Sequence, residues 1–280
     1  MNEVLSQLHA RKSVRAFLDR PISPEARRAI LEAACAAPTA GNQQRYTILD
    51  ITDQAVKDTL ADTCDHQPFI AQAPLVLLFC ADCQKWYDAF AAGGCSPRRP
   101  GPGDLWLALS DANIAAQNAV TAAWSLGIGS CYIGDILEQV ETHRTLLRLP
   151  EYVVPAALLV FGYPTQQQQE REKPRRRALE HIVHENAYRR MEPAELEAML
   201  ADNAGARPYG QQVMSPDGEL CHTRALRARM SSTGSPYRAT RVALTIMRNA
   251  SASTISGSAR SIATGLPAPW YSPFAAEKSA

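Results

Sequence analysis

Three cations and a hydroxyl fall within five residues at Arg11-Lys12-Ser13-Val14-Arg15. Guanidinium forks at that density can grip a phosphate through several oxygens at once. A second cationic run, Lys173-Pro174-Arg175-Arg176-Arg177, is stiffened by its proline. Either run alone also reads as solvated surface charge, whereas the two brought together would suit a dianion. Between them, Pro38-Thr39-Ala40-Gly41-Asn42-Gln43-Gln44 sets three amides and a hydroxyl beside a glycine. That set can hydrogen-bond the edge of a planar polar heterocycle, or serve as ordinary turn chemistry. Tyr132-Ile133-Gly134-Asp135 stands where a strand gives way to a helix. Backbone N–H groups there suit an electron-rich ring nitrogen or a developing anion, although a plainly capped helix needs the same residues.

Other chemistries find less support. Cys80-Ala81-Asp82-Cys83 has the spacing of a redox or zinc dyad, but no second pair completes a metal site, so no metal is expected. His66, His143, His181 and His184 have no serine or cysteine partner in a nucleophile motif. There is neither a phosphate-binding GxxxxGK loop nor a GxSxG elbow.

The elements that must position these residues follow from local signals. Ser23-Pro24-Glu25 supplies an N-cap, a first-turn proline and an acid, so a helix begins there. Ile30, Ala33, Ala34 and Ala37 repeat at helical spacing until Pro38 stops the run. Strands are expected over Tyr46 to Ile51, Leu75 to Cys80, Cys131 to Ile133 and Val153 to Phe161, and Asp53 caps a helix reaching about Thr63. The longest helix spans about Asp104 to Leu126, with Leu109, Ala112, Ala116, Ala119 and Ala123 on one face. Such an alanine stripe lets a neighbouring backbone approach closely, within one chain or across a subunit interface. Asp135 and Glu138 have capping-box spacing, Gln166 to Gln169 opens a polar linker, and Met191 to Met199 reads as a last helix. Strands and helices alternate irregularly with no glycine-rich strand-to-helix turn, which favours a mixed-sheet α+β or α/β domain over a dinucleotide-binding Rossmann unit.

The 280 residues are 46% hydrophobic and 20% charged with a formal net charge of +1, which suits a globular chain and gives no global field for nucleic acid or membrane. The apolar runs are too short to span a bilayer, the first ten residues lack signal-peptide character, and seven cysteines without framework spacing suggest reduced thiols. A cytoplasmic protein is expected. Composition shifts near residue 203: beyond it lie Arg224, Arg227, Arg229, Arg238, Arg241, Arg248 and Arg260 amid serine clusters, with only Val242 to Met247 reading as ordered. Two parts are expected, a domain over 1–203 and an Arg/Ser-rich extension over 204–280. A nucleic-acid role for that basic extension lacks interleaved aromatics and any motif.

In order, these segments resemble the nitroreductase family, in the branch of oxygen-insensitive nitroreductases and flavin reductases. The resemblance is carried by Arg11 to Phe17, Ala36 to Gln44, Ala116-Gln117-Asn118, Leu126 to Gly134, Phe161-Gly162-Tyr163-Pro164, Lys173-Pro174-Arg175 and Val183 to Tyr188. It implies an α+β fold with a mixed central sheet flanked by helices, and a homodimer built on a long central helix that binds FMN where both chains meet. By position it assigns Arg11, Lys12 and Ser13 to the phosphate and ribityl chain, Arg15 to the pyrimidine side of the ring, and Lys173 and Arg175 to further phosphate contacts. Thr39, Asn42, Gln44 and Gln67 would bond the flavin or line its site, Tyr132 would belong to the flavin-edge strand, and Ile133 and Gly134 would bring backbone N–H groups to the ring. It implies a ping-pong cycle in which NADPH or NADH supplies hydride and a nitroaromatic, quinone or flavin receives it. No side-chain acid or nucleophile is then required, since hydride transfer depends on stacking and orientation. An FMN-binding protein of the same fold with a specialised or non-reductase role is the alternative. Beyond about residue 203 the chain departs from the family pattern.

Overall fold

The computed structural model describes residues 1–201. The extension expected over 204–280, including Val242 to Met247, lies outside the described residues. Among the described residues, thirteen α-helices and strands run in the order α1 (Glu3–Ala10), α2 (Pro24–Cys35), β1 (Tyr46–Asp50), α3 (Gln54–Thr63), α4 (Phe69–Gln72), β2 (Leu75–Asp82), α5 (Gln84–Ala92), α6 (Pro102–Ser125), β3 (Gly129–Ile133), α7 (Val140–Leu146), β4 (Val153–Gly162), α8 (Gln166–Glu170) and α9 (Pro193–Ala201).

The four strands form one sheet in the order β1-β2-β4-β3, antiparallel at every pairing. The mixed pairing expected from sequence is confined to an isolated parallel bridge, Ser13↔Ser130, on the outer edge of β3. Every residue of β2 and β4 is buried, because side chains alternate between two covered faces. Leu75, Leu77, Phe79, Leu159 and Phe161 pack with α2 and α6. Val76, Leu78, Cys80, Leu158, Val160, Cys131 and Ile133 pack with α3, α4 and the turn after β3. Two covered faces explain why these strands read as unbroken apolar runs.

Ser23 Oγ accepts from the Ala26 N–H at 3.2 Å and starts α2. Asp53 accepts from the N–H groups of Ala55 and Val56 and starts α3. Helix α6 begins two residues before the expected Asp104, with Pro102 at its first position, where a missing N–H costs nothing. Ala108, Ala112, Ala115, Ala116, Ala119 and Ala123 are all fully buried. The short side chains bring α6 close against both α2 and the sheet.

Three local expectations need correction. Asp135 and Glu138 do not cap an α-helix; Gly134–Leu137 is a 3-10 turn and α7 starts only at Val140. Asp135 instead accepts from Gln67 Nε2 at 2.8 Å, and this long-range bond outcompetes a local cap. The polar stretch Gln166 to Gln169 is not a linker but the short helix α8, with Gln166 bonded to Glu170 one turn on. The last helix starts at Pro193 rather than Met191, since proline fits the first turn of a helix.

Candidate functional site

The segment Arg11 to Arg15 runs along the free edge of β3. The Val14 N–H donates to the Ser130 carbonyl at 2.9 Å. A Cβ on Gly129 would lie 2.5 Å from Val14 Cγ2, and one on Gly162 would lie 2.6 Å from Phe17 Cδ1. Glycine is required at both places, so that the N-terminal segment can rest directly on the strand backbones. Arg171 fastens the same segment by donating to the Ser13 carbonyl at 2.5 Å, and Gln168 Oε1 accepts from the Arg15 N–H at 3.1 Å. Sequence reasoning passed over both residues, because main-chain anchoring by a side chain some 150 positions away leaves no motif.

The cationic side chains divide into two kinds. Lys12 Nζ donates to the carbonyls of Gln169 (2.5 Å) and Arg171, and Lys173 Nζ to those of His9 (2.6 Å) and Leu8 (3.3 Å). Lys173 thereby caps the C-terminal end of α1, where carbonyls lack helical partners. Arg11 behaves differently. Its Nε is buried without a hydrogen-bond partner. Burial holds its guanidinium below the usual arginine range, Tyr132 and Cys131 act the other way, and Arg176 adds to the lowering. Desolvation likewise lowers Lys173, with Arg176 and Arg11 adding to it. Three cations thus press on one another, with no carboxylate among the groups acting on them. Arg176, which the resemblance did not single out, acts on this cluster, and Arg175 does not, although both side chains are exposed.

Beside the cations, Tyr132 is half-buried, donates to Gln117 Oε1 at 3.4 Å, and has its hydroxyl pKa pushed up to about 12 by burial against an opposing effect from Arg11. Ile133 is buried in the core, and Gly134 opens the 3-10 turn with open space where a Cβ would sit. Gln67 reaches this turn, donating to Asp135 Oδ2 and to the Cys64 carbonyl at 2.7 Å. The turn is buttressed from below by His143, whose Nδ1 lies 2.7 Å from the Ile136 carbonyl and whose Nε2 lies 2.9 Å from Thr63 Oγ1. His143 is therefore a packed core histidine. Cys80 and Cys83 are both buried, with thiol pKa values pushed up to about 12 and about 11 by burial, so they lack the thiolate character that a redox dyad needs.

The amide loop is elsewhere. Thr39 to Gln44 leads into β1, at the opposite edge of the sheet from β3. Tyr46 pairs with Ala81, which pairs with Val154, whereas Ser13 bridges Ser130, which pairs with Phe161. Seven residues of β4 and four strand spacings therefore part the two segments, roughly 24 Å along the strands and about 19 Å across them. One chain brings Arg11, Lys12, Ser13, Arg15, Gln67, Tyr132, Ile133, Gly134 and Lys173 to one end of the sheet. It leaves Thr39, Asn42 and Gln44 at the other. Sequence spacing carries no information about this division, since it is created by strand order.

The family model described as Nitroreductase family matches residues 8–163. An oxygen-insensitive NADPH nitroreductase of Salmonella typhimurium is 35% identical over 189 residues, covering 67% of this chain and 75% of the relative. An FMN reductase [NAD(P)H] of Bacillus subtilis is 33% identical over 183 residues, covering 65% and 74%. Among solved structures, that of NfrA2 from B. megaterium superposes with a TM-score of 0.73 at 27% identity, covering 88% of this chain and 98% of that one.

Proposed function

Because this chain belongs to the nitroreductase family, we propose that it is an FMN-dependent NAD(P)H oxidoreductase acting as a homodimer on small electron-poor acceptors such as nitroaromatics, quinones or flavins. The observation that carries this reading is the buried, unpartnered Nε of Arg11 beside the charges of Arg176 and Lys173, with no acid among the groups acting on Arg11 or Lys173. A buried guanidinium nitrogen without a partner is costly in a finished fold, and a phosphate dianion would satisfy it. The residues present therefore fit the phosphate end of FMN, with Arg11, Arg176 and the remaining donor valences of Lys12 and Lys173 holding it. Arg15, whose side chain lies beside Cys131, would face the ring and stabilise negative charge on it. Bound there, FMN supplies the ring that takes hydride from NAD(P)H and passes reducing equivalents to the acceptor in a ping-pong cycle.

Two features support a dimer with shared sites. The amide loop is too far from the cations to serve the same flavin within one chain. Helix α1 exposes Val4, Leu5 and Leu8, and α6 exposes Trp106, Leu107 and Ile114, an apolar surface of the sort that subunits cover. Among the described residues no helix is long and apolar enough to cross a membrane, and we place the enzyme in the cytoplasm. We also retain the division at residue 203 between the FMN domain and the extension.

A visible spectrum of the purified protein tests the reading, followed by anaerobic titration with NADPH and NADH. A yellow protein that bleaches on titration and then turns over a nitroaromatic is the expected result. A colourless protein that rejects added FMN would sink the proposal. Binding without sustained turnover would instead favour a non-reductase role.

A further inference from the structure

Asp111 stands on α6 among alanines, 3% exposed, with Ala108, Ala112 and Ala115 fully buried around it. Packing α6 against the sheet requires no carboxylate there, and a lone buried acid is costly unless donors meet its oxygens. They are met by one segment. Thr39 Oγ1 donates at 2.5 Å, the Ala40 N–H at 3.2 Å and the Arg45 N–H at 3.2 Å. Thr39 Oγ1 in turn accepts from the Gln44 N–H at 2.8 Å. Both ends of the amide loop are thus drawn to a single side chain.

The loop held this way has an unusual backbone. Gly41, Asn42 and Gln44 have φ of +58°, +55° and +47°. Glycine adopts that region freely and asparagine tolerates it, but glutamine does so only under constraint. From the far side, Trp86 Nε1 donates to the Gln43 carbonyl at 2.6 Å and Lys85 Nζ to the Tyr46 carbonyl at 2.9 Å. The backbone is clamped while the side chains of Asn42 and Gln44 stay exposed.

We propose that Asp111 is a positioning residue for the flavin site, holding Asn42 and Gln44 preformed for a flavin gripped by the cationic strip of the partner subunit. This rests on the reading that FMN binds between two chains. Preforming the loop removes an ordering cost that would otherwise oppose binding. Asp111 touches no reacting atom; it acts through Thr39, Ala40 and Arg45.

The test compares Asp111→Ala, Asp111→Asn, Thr39→Val and Thr39→Ser as purified dimers, measuring FMN affinity by quenching of flavin fluorescence. Asp111→Ala should weaken FMN binding at least tenfold with the apoprotein still dimeric, Asp111→Asn and Thr39→Val less so, and Thr39→Ser should restore wild-type affinity. If Asp111→Ala does not fold, the Thr39 pair decides. A heterodimer of an Asp111→Ala chain with an Arg11→Ala chain gives the sharper result. With the loop acting on the partner's flavin, one site carries both lesions and the other neither, so one FMN per dimer binds with wild-type affinity. Unchanged affinity in Asp111→Ala and Thr39→Val overturns the inference, as does a Thr39→Ser variant as weak as Thr39→Val. A heterodimer with no wild-type site also overturns it. If the wild-type protein itself binds no FMN, the functional reading fails first, and that result is separate from all of these.

Discussion

The cationic strip at β3 and the amide loop before β1 are opposite solutions to building a binding surface. The strip gathers Arg11, Lys173 and Arg176 with no acid among the groups that act on them, and leaves Arg11 Nε without a partner. The loop satisfies its backbone internally through Asp111, Thr39, Trp86 and Lys85. One region is electrostatically incomplete and the other is structurally complete. Incompleteness marks where a ligand contributes energy, whereas completeness marks where the protein has already met the cost of shape.

The largest expected effect breaks this contrast at the strip. Arg11→Ala combined with Arg176→Ala should weaken FMN binding about 100-fold or more, at ~1.5–3 kcal/mol per charge-assisted bond lost. The apoprotein should melt no lower than wild type, because mutually repelling cations have been removed. Calorimetric titration beside thermal unfolding checks both parts; a fall in apoprotein melting temperature would contradict the picture of an unfinished strip.

Gly129→Ala comes next. Its new methyl group would meet Val14 at non-bonding distances no real contact shows, so the strip must shift off β3. A destabilisation of about 1–3 kcal/mol is expected, with weaker FMN binding and unchanged hydrogen exchange in the loop at Thr39 to Arg45.

Acid should weaken the β3 end of the sheet. Burial holds the His143 pKa below the ordinary 6.5, against an opposing bond to Ile136. As pH falls through 6.5 the unfolded chain binds a proton that the folded chain resists, so stability is intact above that pH and declines below it. His143→Gln should flatten the decline between pH 6.5 and the lower folded value, measured by urea midpoints across the range.

The smallest effect is at the loop. Gln44→Gly relieves a left-handed residue at about 1–2 kcal/mol and adds chain entropy of roughly half that, so a net gain below about 1 kcal/mol is expected. FMN affinity should nevertheless fall with loss of the amide, a gain in stability and a loss of binding from one change.

What the sequence disclosed and what it hid follow the same physical divide. Helix α2 was legible because Ser23-Pro24 and the spacing of Ile30 and Ala34 are local signals, and β2 and β4 because burial on two faces leaves an unbroken apolar run. Most of the motif residues assigned by resemblance do sit beside β3. Asp111 was hidden, because a single acid on an alanine face has no motif, although an acid at a position due for burial is itself a sign that donors await it. Asp135 was misread as a cap, since its true partner, Gln67, comes from a distant element. Strand order, which divides the candidate site between two ends of the sheet, is a property of the whole chain and cannot be read from any window of it.

The parallel bridge at Ser13 has a consequence beyond ligand binding. Strand β3 ends the sheet, and an open strand edge invites pairing with other chains. The N-terminal segment covers that edge, with Val14 bonded to Ser130 and seated against Gly129. A chain trimmed before residue 16 would lose not only its cations but the cover over an adhesive edge. Such a product is expected to precipitate rather than persist as a slow enzyme, which makes the first fifteen residues a guard against aggregation.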